Sequence, residues 1–118
     1  MIYQANDSGP AEIVLDAAVE LFGYDRDALA SGSRVRPLPA LRCIVVAVLC
    51  QEYSMDPVRA AVATGRNASA GLKYKKRHQA NLDGSRRACG YSIAADQYTE
   101  SFNALAKRIR EIKHQEND

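Results

Sequence analysis

The chain has 118 residues, 47% of them hydrophobic, enough for one ordinary domain with an apolar core and no need of covalent or metal staples. Cys43, Cys50 and Cys89 form an odd set with no Cys-x-x-Cys pair and no suitably spaced histidine, which argues against a disulfide framework and a structural zinc site. The formal net charge of +2 conceals an uneven spread: residues 1–33 sum to −5, residues 34–87 to +8 and residues 88–118 to −1, so a basic centre lies between acidic ends.

Ser8-Gly9-Pro10 reads as a helix start, because serine caps free amides and proline suits the first turn. Ile13, Val14, Ala17, Ala18, Leu21 and Phe22 then recur at helical spacing until Gly23, predicting a helix over residues 10–22. Asp25 can cap a short second helix carrying Leu29 that ends in the Ser31-Gly32-Ser33 turn. Arg34 to Pro39 must be extended or turning, since residues ahead of proline avoid helical geometry. From Pro39 the apolar residues Leu41, Ile44, Val45, Val48 and Leu49 run all round the cylinder, which predicts the central helix of the fold. Within it Cys43 and Cys50 read as small buried hydrophobes with reduced thiols.

Ser54 is the expected cap of a shorter helix in which Met55, Val58, Ala61 and Val62 face inward and Pro57 occupies the first turn. Thr64-Gly65-Arg66 reads as a turn and Asn67 as the next cap, so the layout is helix, glycine-containing turn, helix. Asp83 to Arg87 is a loop. A last helix over residues 93–114 carries Tyr91, Ala95, Tyr98, Phe102, Leu105, Ile109 and Ile112 in a heptad-like stripe, which either docks on the preceding helices or forms a dimer seam. The expectation is an all-α chain divided into a helix-turn-helix domain at 8–82, a loop at 83–92 and a C-terminal amphipathic helix at 93–114.

On the helix that begins at Asn67, an advance of ~100° per residue puts Ser69, Lys73, Lys76 and Arg77 on one side, and Ala68, Gly71, Leu72 and Leu82 on another, expected to face inward. A basic run such as Lys73, Lys75, Lys76 and Arg77 is often no more than a solvated face. Here Arg34, Arg36 and Arg66 in turns, and Arg86 and Arg87 beyond the helix, supply cations from several segments. That convergence suits insertion into the major groove of duplex DNA, with short residues near the bases and long cations on phosphates.

The stretch from Ile13 to Tyr74 resembles the C-terminal DNA-binding domain of the bacterial chromosomal replication initiator DnaA. The matching pieces are Leu21-Phe22-Gly23, Asp27-Ala28-Leu29, Ser33-Arg34, Arg42 and Gly65-Arg66-Asn67-Ala68-Ser69-Ala70-Gly71-Leu72. The resemblance implies a Trp-repressor-like helical fold in which Arg42 approaches the minor groove. It also implies that Arg66, Asn67, Ala68, Ser69 and Ala70 stand where the family reads bases. Asn67, Ala68, Ala70 and Gly71 replace the family's Asp, His, Thr and Val, which should alter recognition of the initiator's own sequence box, since a base contact is worth ~1–3 kcal/mol. Gly71 weakens its helix by about 1 kcal/mol unless a close approach requires it. The initiator's phosphate-binding loop is absent, so the chain resembles the initiator-like regions of regulators from phages and gene-transfer agents.

Other chemistry finds no candidates. His78 and His114 are far apart, and His78 beside the basic run is expected to face solvent or phosphate. Ser69 has no activating histidine and aspartate, and Asp16 and Glu20 read as a solvated face. No dinucleotide fingerprint and no aromatic platform for RNA bases is present. No run approaches the ~20 apolar residues of a membrane span, and Met1 to Asp7 lacks the pattern of a secretory signal. The expected protein is therefore cytoplasmic and nucleoid-associated, free of metal and cofactor, and not an enzyme. It binds duplex DNA as a transcriptional regulator, with a role at a replication origin or as a protein-interaction adaptor through the C-terminal helix as alternatives. A homodimer or protein partner would engage Phe102, Leu105, Ile109 and Ile112.

Overall fold

The computed structural model describes residues 8–30, 38–82 and 95–116. These form six helices and no strand: α1 (Ser8–Phe22), α2 (Arg26–Ala30), α3 (Leu38–Tyr53), α4 (Pro57–Ala63), α5 (Ala70–Leu82) and α6 (Ala95–Glu116). The loop at 83–92 and the turn holding Arg34 and Arg36 lie outside the described residues.

The central helix is α3, as its apolar circumference predicts. Cys43, Ile44, Val45, Val48 and Leu49 are fully buried, and α1, α2, α4, α5 and α6 all pack against it. Burying a Val, Leu or Ile side chain stabilises a fold by about 1.5–3 kcal/mol, so this single helix supplies a large share of the driving force.

Glycine stops α1 where expected: Gly23 has φ 78° and its N–H bonds to Val19 O at 2.9 Å. The α3–α4 junction departs from the expected capping. Ser54 has φ 54°, a left-handed conformation that ends α3, while Met55 N–H reaches back to Leu49 O. The cap of α4 is instead Asp56, whose carboxylate accepts the Val58 N–H at 2.9 Å, with Pro57 in the first turn. Both residue types cap helices; Ser54 is already committed to terminating the preceding one.

The C-terminal helix is not an appendage. Tyr98, Phe102, Leu105, Ala106 and Ile109 belong to the same core as α1 and α3, and Ile112 packs at its edge. The stripe therefore docks on the preceding helices, and a dimer seam through Phe102, Leu105 and Ile109 is incompatible with their burial inside one chain. Polar contacts fix the far end of α6: Arg110 Nε bonds to Glu52 Oε2 at 3.1 Å and Lys113 Nζ to the Glu52 carbonyl, over the Tyr53 ring. The Lys113 ammonium, placed on a last-turn carbonyl of α3, also complements its dipole.

Candidate nucleic-acid interface

Three turns of local structure fix the orientation of α5. At the end of α4, Gly65 adopts φ 88°, its N–H bonds to Val62 O at 3.1 Å, and Arg66 N–H bonds to Ala61 O at 2.8 Å. This paired closure is a glycine-terminated C-cap, and it forms the turn expected at Thr64-Gly65-Arg66. Thr64 adds hydroxyl bonds to Ala60 O and Ala61 O at 2.9 and 3.0 Å. The chain then makes a tight turn in which Ala70 N–H bonds to Asn67 O and Gly71 N–H to Ala68 O, so regular helix begins at Ala70, one turn after Asn67.

Gly71 is the pivot of the pair. A Cβ at this position would lie 2.6 Å from Pro57 O and 2.7 Å from Val58 Cα, both backbone atoms. The first turns of α4 and α5 thus meet backbone to backbone, and only glycine fits between them. The helix-propensity penalty anticipated at Gly71 is offset by this close approach. Three residues on, Tyr74 is buried in the core.

This pivot turns the inward face away from the one expected. Gly71, Tyr74, Ala80 and Asn81 are the buried residues of α5, whereas Leu72 and Leu82 are exposed. Ser69, Lys73, Lys75, Lys76 and Arg77 are exposed, as is Asn67, while Ala68 and Ala70 are half-buried and Ala70 packs against the core. The helix carries four cations and no carboxylate. Among the described residues no ion pair engages Lys73, Lys75 or Lys76, in contrast to Arg26 on α2, which bridges Glu12 and Asp16 of α1. Lys75 lines a groove of about 310 Å³ together with Val46, Ala47, Cys50 and Pro57. Burial there pushes the Cys50 thiol up to about 11, with Asp56 adding to the shift and Lys75 opposing it, so the thiol stays protonated and inert.

Two expected DNA contacts lie elsewhere. Arg42, placed by the resemblance at a minor groove, is only 5% exposed; its Nε donates to Leu29 O at 2.8 Å and an Nη to Ala28 O at 2.9 Å. Its guanidinium caps the last turn of α2, an assignment that requires knowing which carbonyls fold against it. Arg66 is half-buried, and its Nε lies 3.3 Å from the Tyr74 hydroxyl, so it lies back along the turn.

His78 also faces inward rather than toward phosphate. Its Nδ1 is 2.7 Å from the Tyr98 hydroxyl and its ring meets Phe102 edge-on with centroids 4.6 Å apart. Tyr98 donates to Cys43 Sγ at 3.2 Å, and Cys43 donates to Tyr74 O at 3.3 Å. Burial lowers the His78 pKa below its ordinary value of 6.5. Nothing in the sequence pairs Cys43 with Tyr98 and His78, residues from three helices.

No protein-family model matches this chain, and no curated protein and no solved structure matches it either.

Proposed function

We propose that this chain is a duplex-DNA-binding protein, a transcriptional regulator rather than an enzyme, that presents α5 to the major groove with α4 braced behind it as a Trp-repressor-like helix-turn-helix. The observation that carries the reading is the outward face of α5. It holds four cations and no carboxylate, and among the described residues Lys73, Lys75 and Lys76 are engaged in no ion pair, on a helix pinned at its first turn. Exposed cations on a rigid rod of groove-filling diameter meet the demands of phosphate contact, and the exposed Asn67 and Ser69 at its start offer short polar groups to base edges. The apolar stripe of α6 is consumed inside the fold, which removes the surface that an adaptor acting through that stripe would use.

Binding to duplex DNA measured across a salt series tests this. Five to eight phosphate contacts give a slope of log affinity against log salt of about −4 to −7. Lys73→Ala and Lys76→Ala should each weaken binding to all sequences alike and flatten the slope by about one, whereas Asn67→Ala and Ser69→Ala should change which sequences are preferred. A flat salt dependence would reject the proposal.

A further inference from the structure

One side chain on the outward face of α5 is not accounted for by phosphate contact. Leu72 is 60% exposed, more than the other exposed large hydrophobics among the described residues, Leu21 at 44% and Leu82 at 39%. Single surface leucines are ordinary. What distinguishes this one is its place, with Lys73, Lys75 and Lys76 around it and Ser69 one turn before it. Nor can it turn inward. Gly71 against the Pro57 backbone and Tyr74 in the core fix the rotation of α5, and Leu72 lies ~100° further round than Gly71, on the outer side.

We infer that Leu72 is a thymine-reading contact, its methyl groups resting on the C5-methyl of a thymine in the major groove while the neighbouring lysines hold phosphates. This rests on the DNA-binding reading above and adds to it a base preference. Residues in the first turn of a recognition helix are the ones that reach base edges, and Leu72 is the third residue of α5. Hydrogen-bonding groups mark the major-groove edges of guanine, adenine and cytosine, whereas thymine alone adds an apolar methyl. A leucine can read that feature and a lysine cannot.

The test starts from a duplex selected out of a random-sequence pool by the wild-type protein. Each thymine is then replaced singly by uracil, which lacks only the methyl group. Wild type should lose about fourfold in affinity at one position, the effect of leaving one methyl unburied. Leu72→Ala should bind the thymine probe about fourfold or more weakly and treat thymine and uracil alike, while Lys73→Ala weakens both probes equally and keeps their ratio. Because Leu72 is exposed, an unchanged melting temperature certifies the fold of the variant. Indifference of wild type to every thymine-to-uracil exchange, with sequence selection intact, overturns the inference and leaves the DNA-binding reading standing. So does a Leu72→Ala variant that dissociates a dimer in sedimentation but keeps the thymine-to-uracil ratio. A wild-type protein that binds no duplex at any salt overturns both.

Discussion

A missing side chain at Gly71 sets how α5 seats on α4, and the buried guanidinium of Arg42 ties α3 to the end of α2. Alanine at position 71 would ordinarily gain about 1 kcal/mol in a helix. Here its Cβ meets backbone at 2.6 Å, so the two helices must separate. Gly71→Ala should therefore destabilise the protein by about 1–3 kcal/mol in urea denaturation, the usual cost of overpacking. Arg42 makes a separate prediction. Replacing it by methionine leaves the carbonyls of Ala28 and Leu29 without their charged donor, which should cost about 2–4 kcal/mol of stability. The affinity of the folded variant for DNA should be unchanged, because the guanidinium is not at the surface; a selective loss of affinity would place Arg42 at the groove instead.

Among the elements, the contact between α5 and α6 through His78 makes stability depend on pH. Burial lowers the folded-state pKa of His78, so the unfolded chain binds the proton more readily. Its contribution is fully present above the ordinary value of 6.5 and is lost as pH falls through that value toward the lower folded pKa. Chemical denaturation should thus show stability declining as the solution is acidified from neutrality through that window, and His78→Gln should flatten that part of the profile. Helix existence was legible in the sequence because α3 is apolar all round and Gly23 and Gly65 mark its neighbours' ends. Rotational phase was not. Leu72 and Tyr74 are two residues apart and face nearly opposite sides of a helix, so only one can point inward. The choice falls to Tyr74 because Gly71 must face Pro57, a contact across two elements that spacing alone does not reveal. Arg42 was opaque for a similar reason, since its carbonyl partners are 13 and 14 residues away along the chain. The basic composition of α5 was legible, because charge is read directly from residues.

At the scale of the whole molecule, α6 completes the core rather than extending from it. Ile109 is fully buried, so Ile109→Asp should unfold the chain, with loss of helical circular dichroism, rather than split a dimer into folded monomers. Wild type should sediment as a monomer where Phe102, Leu105 and Ile109 are the surface in question. Described helices also include none long and apolar enough to cross a membrane. Acidic groups gather on α1 and α2, where Glu12 and Asp16 hold Arg26, and exposed cations gather on α5, with α3 packed against all three helices. On the proposed DNA-binding reading, such separated charge should steer the polyanion toward one side of the protein and raise association rates at low ionic strength, which a salt series of association kinetics checks.

The backbone contact between Gly71 and Pro57 also bears on calorimetry. A helix riveted to its neighbour before any encounter has no ordering left to do when a ligand arrives, so the heat-capacity change of association should match the surface covered, without the larger signature of coupled folding.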